Sequence, residues 1–297
     1  SVNTASVIIN NRRGVENYAE GTQQRVRSAA QALGYMPNLL AQVLKKKRSN
    51  QVGVVIFTRE SHFYTAILQA ADEVIRRHHY EIVTADMVRS VDRLASCITT
   101  LMTWKVQGIL AILGGHPFDH DVFDVLRQKA VPVVAVAPQG KGIPFPTVNV
   151  NNYDAGQMLG RHLAGLGHRR IGVMAGNREH DCSWARIAGL RSALAEQSID
   201  VPDEYILWAP DCKFEAAVGY NAAAQMMDKN PRPTAIVCIN DELALGAMTR
   251  LRERGLRIPQ DISITGFDDT FLGDSSSEEN RLGRHMVPPL TTIRVPL

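Results

Sequence analysis

The sequence predicts an α/β protein built of two lobes, each a doubly wound parallel sheet, preceded by a small all-α region. Apolar runs rich in β-branched residues, of which Val52–Phe57 is the clearest, are typical of parallel strands buried on both faces. From residue 51 these runs alternate with helix-patterned segments across short connections, and the alternation starts again near residue 149. Two lobes of this type usually enclose a cleft at the carboxyl ends of their strands.

Composition is that of an ordinary two-domain globular protein with one basic end. The 297 residues are 45% hydrophobic, enough for a large core, and the formal net charge is +3. Residues 1–50 hold eight lysines and arginines against two glutamates, a local charge of +6, so the rest of the chain carries −3. This asymmetry predicts an N-terminal contact with a polyanion.

The cysteines and the N-terminus predict a cytoplasmic protein. The four cysteines are far apart and form no CxxC pair, which is typical of reduced thiols: Cys97, Cys182, Cys212 and Cys238. The N-terminus lacks the basic, apolar and small-residue order of a signal peptide, and no apolar run is long enough to cross a bilayer. We therefore expect neither export nor membrane insertion.

Residues 1–34 are expected to form two short helices that cannot bury a core alone. In residues 1–11 the apolar residues share one helical face, and small hydrogen-bonding side chains occupy the other. A second helix is expected from about Thr22 to Leu33, with Gly34 as its end. Residues 35–50 follow as a linker, in which Pro37 can open a short, marginal helix before the basic run Lys45–Arg48.

The first lobe is expected at about residues 51–148 together with the end of the chain, and the second at about 149–287. First-lobe strands are predicted at Val52–Phe57, Glu81–Ala85, Gly108–Leu113 and Val131–Val136, with helices at Ala66–His78, Asp92–Lys105 and Val122–Lys129. Second-lobe strands are predicted at Arg170–Met174, Tyr205–Trp208, Ala235–Ile239 and Ser263–Phe267, with helices at Ala155–Leu166, Arg186–Gln197, Phe214–Asp228 and Asp241–Arg254. Residues 273–281 are expected as a solvated loop, and residues 288–295 as a final strand crossing between the lobes.

Catalytic motifs are missing from the sequence. There is no Walker A and no GxSxG, and Gly165-Leu166-Gly167 closes a helix before a strand, so we interpret it as a helix-ending turn rather than a phosphate loop. His116 and His120 could suggest a metal, but no distant ligand is evident and a solvated loop is the favoured interpretation. We therefore expect no metal, no cofactor and no enzymatic activity.

Polar residues that follow buried strands are the candidates for a binding site. Asn240 follows the strand Ala235–Ile239, and Asp268 follows Ser263–Phe267. Arg186 is expected to start the helix after the loop at 177–185. Each alone is more often a cap or turn residue, but together they could take paired hydrogen bonds from the hydroxyls of a polar ligand. Phe63 and Tyr64 could form an apolar wall, with core packing about equally expected.

Seven short motifs, in order along the chain, make it resemble the LacI/GalR family of bacterial transcriptional repressors. They are Ser-Val-Asn-Thr-Ala-Ser at 1–6, Leu-Gly-Tyr-Met-Pro-Asn at 33–38, Leu-Gly-His-Arg-Arg-Ile at 166–171, Arg-Ile-Ala-Gly at 186–189, Asn-Asp-Glu-Leu-Ala-Leu-Gly at 240–246, Gly-Phe-Asp-Asp at 266–269 and Pro-Pro-Leu-Thr-Thr at 288–292. The resemblance covers essentially the whole chain. It implies a partial helix-turn-helix at 1–34, a hinge helix and linker at 35–50, and an effector-binding and dimerisation domain similar to type I periplasmic binding proteins at 51–297.

The resemblance also implies roles for individual residues. Residues 1–11 are similar to a recognition helix, in which Val2 and Asn3 match positions that touch base edges, and Thr4, Ser6 and Asn10 match positions that hold phosphates. In the hinge helix, Asn38 and Ala41 match DNA-contacting positions, and Leu44 matches the residue driven between base pairs of the minor groove. Effector-contacting positions are matched by Phe63, Tyr64, Arg186, Phe214, Asn240 and Asp268.

The implied function is that of a homodimeric repressor whose affinity for operator DNA is controlled by a small polar effector, a sugar or sugar acid. Three departures from the family pattern stand out: the first helix of the helix-turn-helix is missing, Val7 replaces a common Arg, and Ala137 stands where many sugar-responsive members carry Asp. A solute-binding protein of a sugar transport system is the alternative, opposed by the basic N-terminal region. An enzyme on the same architecture would need a catalytic constellation, and the sequence has none.

Overall fold

A computed structural model describes residues 1–9, 14–35, 49–116, 120–140, 143–209, 215–270 and 277–296. These residues form two sheets of five strands, ordered β2-β1-β3-β4-β5 and β10-β9-β8-β6-β7, in which every recorded pairing is parallel. The strands are β1 (Gln51–Ile56), β2 (Glu81–Asp86), β3 (Gly108–Ile112), β4 (Val133–Val136), β5 (Thr147–Val148), β6 (Ile171–Ala175), β7 (Ile206–Trp208), β8 (Ala235–Cys238), β9 (Ser263–Asp268) and β10 (Thr291–Arg294). The predicted fold class, two doubly wound lobes after a short helical region, is confirmed.

Helices cover the sheets and form the N-terminal region. They are α1 (Val2–Ile9), α2 (Glu20–Ala32), α3 (His62–Arg77), α4 (Leu94–Thr103), α5 (Asp124–Gln128), α6 (Asn152–Gly165), α7 (Asp181–Ala195), α8 (Ala216–Met227), α9 (Asp241–Glu253) and α10 (Leu282–His285). Among the helices that the structure describes, none is long and apolar enough to span a bilayer.

The central strands are buried on both faces, as their apolar sequences predict. Val54, Val55 and Ile56 of β1 are fully buried and belong to one core, which α3 and α4 help to close. The second lobe has a core on each side of its sheet, because β6, β8 and β9 contribute side chains to both of its clusters. These rigid sheets fix the positions of the residues at their carboxyl ends.

Close packing of α6 against α7 fixes the second lobe beside the cleft. A Cβ atom on Gly156 would lie 2.1 Å from the backbone oxygen of Arg186, and one on Gly189 would lie 1.9 Å from the backbone oxygen of Tyr153. Glycine at these two positions therefore lets the two helix backbones touch. Since Arg186 belongs to α7, this contact sets the position of its side chain.

Two expectations about the placement of elements are corrected by the structure. Helix α7 begins at Asp181, so Arg186 lies in its second turn rather than at its start. Asp181 is acidic, which is favourable in the first turn of a helix, but the sequence places this residue in the expected loop at 177–185. Strand β10 pairs with β9, so the end of the described chain belongs to the second sheet and not to the first lobe, because Ile293 and Val295 pack into the second-lobe core.

In the described part of the predicted solvated loop at 273–281, Glu278 and Glu279 are exposed as expected, whereas Arg281 is buried. Residues Glu278–Asn280 form a 3-10 turn, and Arg281 follows with only 6% of its surface exposed. Helix α10 then begins at Leu282, which packs into the second-lobe core. Arg281 bonds Glu278 and the backbone oxygen of Asp269, which is why this charged residue is buried in a polar segment.

Candidate functional site

A cavity of about 340 Å³ lies between the lobes at the carboxyl ends of both sheets. Its volume suits a metabolite-sized ligand. Five of the six predicted effector residues line it: Phe63, Tyr64, Arg186, Asn240 and Asp268. The sixth, Phe214, lies outside the described residues. The structure thus brings together residues that are separated by up to about 200 positions in the chain, while their role in binding stays a prediction.

Arg186 is the most constrained polar residue of the cavity. Its Nε donates to Asn152 Oδ1 at 2.9 Å, one terminal nitrogen donates to the backbone oxygen of Ile239 at 2.5 Å, and the other lies 3.6 Å from Asp268 Oδ1. The guanidinium also stacks on the ring of Phe267, 3.4 Å from its centroid. With these contacts in place, the guanidinium plane is fixed before any ligand arrives.

Asp268 faces Arg186 from the last position of β9. Its backbone is left-handed, with φ of 99°, a conformation that is uncommon outside glycine. Burial raises the pKa of Asp268 to about 6, Arg186 opposes this rise and Glu242 adds to it. A carboxylate and a guanidinium held side by side in this way can accept from and donate to adjacent hydroxyls of one ligand.

Asn240 is held at the start of α9. Its side-chain oxygen caps the helix by accepting from the backbone nitrogen of Leu243 at 2.9 Å. The neighbouring Asp241 points away from the cavity and accepts from Thr270 N at 2.7 Å and from the Thr292 hydroxyl at 2.6 Å. Burial is the main reason that the pKa of Asp241 is raised to about 7. This carboxyl group ties the starts of α9 and β10 to the turn after β9.

An aromatic wall from the first lobe closes the other side of the cavity. Tyr64 is buried, and its hydroxyl donates to the backbone oxygen of Gly114 at 3.4 Å. Its ring meets those of Phe57 and Phe63 edge to face, with centroids 6.3 and 5.7 Å away. Phe63 packs against the cores of both lobes, so it both lines the cavity and takes part in core packing.

Two buried histidines join the lobes at this wall. His116 stacks on Phe57, with centroids 3.4 Å apart, and its Nδ1 lies 3.0 Å from Nε2 of His180. His116 is 3% exposed, so the expectation of a solvated loop is wrong for this residue. Burial lowers the pKa of His116 to about 3 and that of His180 to about 4, so both imidazoles are neutral at physiological pH. One ring nitrogen can therefore donate to the other.

In the sequence, His116 is a candidate metal ligand beside His120. In the ranges that the structure describes, no three His, Cys, Asp or Glu side chains are grouped as metal ligands would be. Pro117–Asp119 lie outside those ranges. The sequence could not reveal the contact because His116 and His180 are 64 positions apart and meet only when the two lobes face each other.

Charged residues at the cavity rim bridge the lobes. Arg89 of the first lobe lies 2.9 Å from Glu60 and 2.7 Å from Glu215 of the second. His62 Nδ1 lies 3.3 Å from Glu242 Oε1, again across the cleft. Asp181 accepts from the backbone nitrogen of Gly140 at 3.0 Å. None of these bridges was predicted, since nothing in the local sequence marks a partner on the other lobe.

The predicted DNA-contacting residues divide between described and undescribed parts of the chain. Helix α1 carries Val2 and Asn3 on its exposed side, and Thr4 and Ser6 are half-buried. Ile8 is buried, 1% exposed, as the apolar face predicts. The Ser1 and Thr4 hydroxyls lie 3.0 Å apart at the helix start. Asn10, Asn38, Ala41 and Leu44 lie outside the described residues.

Comparison with known proteins gives the same picture over the full chain. Residues 49–274 match the family described as periplasmic binding proteins and the sugar-binding domain of the LacI family. The HTH-type transcriptional repressor PurR of Salmonella paratyphi B is 30% identical over 298 residues, which cover 100% of this chain and 82% of that protein. The same repressor from Salmonella heidelberg matches equally.

Two solved structures of the Lac repressor are similar to the chain. The dimer bound to operator and the anti-inducer ONPF superposes with a TM-score of 0.80 at 27% identity, covering 99% of this chain and 84% of that one. The repressed state bound to ONPG gives a TM-score of 0.81 at 26% identity, with the same coverage.

Two lobes that enclose a cavity, preceded by a basic helical region, are the arrangement of a ligand-responsive transcriptional regulator. The matched relatives are transcriptional repressors, and the likeness extends over all of this chain. The chain belongs to the LacI family of transcriptional regulators.

Proposed function

We propose that this protein is a homodimeric repressor whose affinity for operator DNA changes when a small polar effector binds between its lobes. The observation that carries the effector half is the pair of Arg186 and Asp268, whose side chains are 14% and 11% exposed and lie 3.6 Å apart in a cavity that both lobes line. A sugar or sugar acid is the expected effector class, since paired hydroxyls suit this pair. A repressor works where the DNA is, so we place the protein in the cytoplasm.

The DNA half rests on the helical region and on the relatives. Val2 and Asn3 stand exposed on α1, where they could reach base edges, with Thr4 and Ser6 beside them for phosphates. The proposed roles of Asn10, Asn38, Ala41 and Leu44 follow from the family resemblance. Dimerisation is proposed because the similar Lac repressor was solved as a dimer bound to operator. The proposed function is the binding of DNA and effector rather than catalysis, because the relatives are repressors.

A solute-binding protein for sugar transport would share the cavity but not the DNA contact. Fluorescence anisotropy of the full-length protein on operator DNA separates the two functions. A repressor should bind with an affinity that falls steeply as salt rises, because phosphate contacts release counterions. Its affinity for operator DNA should also change when a sugar that it binds is added. Undetectable or salt-independent binding would favour the transport function.

A further inference from the structure

The turn that presents Asp268 to the cavity is held in an unusual backbone conformation. Asp268 has φ of 99° and Asp269 has φ of 54°, so two consecutive non-glycine residues are left-handed. Such conformations persist only where surrounding contacts fix them. The contacts that do so lie on the side of the turn away from the cavity.

Arg281 makes most of these contacts. One terminal nitrogen donates to the backbone oxygen of Asp269 at 2.8 Å and lies 2.7 Å from its carboxylate. The other side of the guanidinium fork bonds both oxygens of Glu278, at 3.0 and 2.7 Å. Arg281 and Asp269 are 6% and 8% exposed, and neither lines the cavity. The guanidinium has five donors in a rigid plane, which suits it to bind a carbonyl and two carboxylates in fixed directions at once.

Backbone bonds extend this arrangement to its neighbours. Leu282 N, next to Arg281, donates to Thr270 O at 2.7 Å, and Val295 N donates to Asp268 O at 3.3 Å. The turn is thus held between Arg281 and the end of β10. Arg294 adds a bond to the Asp269 carboxylate at 2.8 Å, but its side chain is half exposed. Arg281 is the buried centre of the network.

We infer that Arg281 is a positioning residue for the effector site: by holding the left-handed turn 268–269, it aims the Asp268 carboxylate at Arg186 and the cavity. The inference rests on the proposed function, in which Asp268 binds the effector. Arg281 does not line the cavity, and its described contacts run to Asp269 and Glu278, so its effect passes through the backbone of the turn. The sequence predicts a solvated loop for the segment that holds Arg281, so this role could not be inferred from the sequence.

The test compares Arg281→Gln with Arg284→Gln in the full chain. Arg284 is its matched control, because it lies three residues away, is exposed and, among the described residues, pairs with Glu278 alone, at 3.6 Å. The readout is the titration of the Asp268 carboxyl group, followed by ¹³C NMR of labelled aspartates and assigned with Asp268→Asn. Wild type should titrate near pH 6, because burial raises this pKa. Arg281→Gln should move it toward its ordinary value as the turn opens to water, and Arg284→Gln should not.

Two further variants keep the test decisive. Asp269→Asn loses the ion pair with less change of shape, so it should shift the Asp268 titration in the same direction even if Arg281→Gln does not fold. Arg281→Lys keeps the charge but not the fork, and should recover the wild-type titration only in part. The inference would be overturned if the Asp268 titration were unchanged in Arg281→Gln. If Arg281→Gln does not fold, an unchanged titration in Asp269→Asn would overturn it.

Binding of D-galactose and D-gluconate, a neutral sugar and a sugar acid, links the turn to the site. For a probe that binds, Arg281→Gln should weaken binding by about tenfold, and should add no loss in the Asp268→Asn background. An equal loss in that background would show that Arg281 does not act through Asp268. If Asp268→Asn leaves probe binding intact, the proposed effector site fails, while the titration still decides the role of Arg281.

Discussion

At the scale of single residues, the cavity is built from polar groups that are buried and already bonded. Arg186 has partners on three sides and an aromatic ring beneath it, and Asp268 is held by its turn. Such preorganisation lowers the entropic cost of binding, because few side chains remain to be ordered. It also makes the pair intolerant of small changes.

Effector affinity should depend on the identity of this pair. Asp268→Asn removes the charge, and Arg186→Lys replaces a planar fork with a point charge. For any sugar that stabilises the wild type, each substitution should lower the binding affinity by at least about tenfold. This is the scale of losing a buried hydrogen bond to a charged group. Isothermal titration calorimetry measures this. Asp261→Asn removes an exposed carboxylate paired with Arg257, so it should leave the affinity unchanged.

Asp241 should make stability depend on pH. Its pKa is raised from 3.8 to about 7 in the folded chain, so the folded state holds the proton more tightly than the unfolded state. The stabilisation from this group is fully present below about pH 4 and is lost as pH rises through 7. Asp241→Asn removes the titration but also one acceptor for Thr270 or Thr292.

The melting temperature of Asp241→Asn relative to wild type should therefore rise as pH increases from 5 to 8, by about 5–10 °C. Differential scanning calorimetry at four pH values checks this trend. A difference that stays constant with pH would mean that Asp241 is not protonated in the folded protein near neutrality.

At the scale of elements, the strands and most helices follow from the sequence, whereas contacts between distant segments do not. The run Val52–Phe57 is apolar throughout and could only be a buried strand. The same polarity argument failed at the first turn of α7 and at Arg281, because Asp181 accepts from Gly140 N and Arg281 donates to Asp269 O. The five described effector candidates were predicted from their places along the chain and then matched by the family resemblance, whereas the roles of His116, His180 and Arg281 needed the fold.

The histidine pair should give stability a pH dependence of the opposite sign. Folding lowers the pKa of His116 from 6.5 to about 3 and that of His180 from 6.5 to about 4. At a pH between the folded and unfolded pKa values, these histidines are therefore protonated only in the unfolded chain. Their stabilisation is present above about pH 6.5 and is lost as pH falls toward 4. His116→Gln should be less stable than wild type at pH 7.5, and the gap should narrow toward pH 5.

Thermal melts of His116→Gln across this pH range test the pair. His78→Gln, at the exposed end of α3, controls for the simple loss of a histidine. A gap between His116→Gln and wild type that does not narrow at low pH would contradict a neutral, buried pair.

Helix α1 should carry sequence preference for DNA. Asn3 is exposed, and an asparagine amide can make two hydrogen bonds to an adenine edge. Asn3→Ala should weaken operator binding by about tenfold or more, while binding to unrelated DNA changes little. Anisotropy titrations on both DNAs at one salt concentration measure the difference. Gln197→Ala, exposed on the second lobe, is the control. An equal loss on both DNAs would assign Asn3 to phosphate contact.

At the scale of the whole molecule, contacts across the cleft connect the effector site to the relative position of the lobes. His116 with His180, and Arg89 with Glu215, are bonds that exist only while the lobes are close. A ligand that favours the same closed arrangement adds to these bonds, and one that favours an open arrangement competes with them. The proposed regulation therefore depends on how strongly the lobes hold each other without a ligand.

Arg89 tests this coupling, because it bonds Glu60 on its own lobe and Glu215 on the other. Arg89→Gln should open the cleft more often, seen as a larger radius of gyration in small-angle X-ray scattering and as sugar binding weakened a few-fold. The bridge is partly exposed, so its loss should change the free energy of closure by no more than about 1 kcal/mol. Arg59→Gln breaks a similar bridge to Asp86 within the first lobe and should change neither quantity. In the Glu215→Gln background, Arg89→Gln should have a smaller effect than alone; an undiminished effect would show that the two residues do not act together across the cleft.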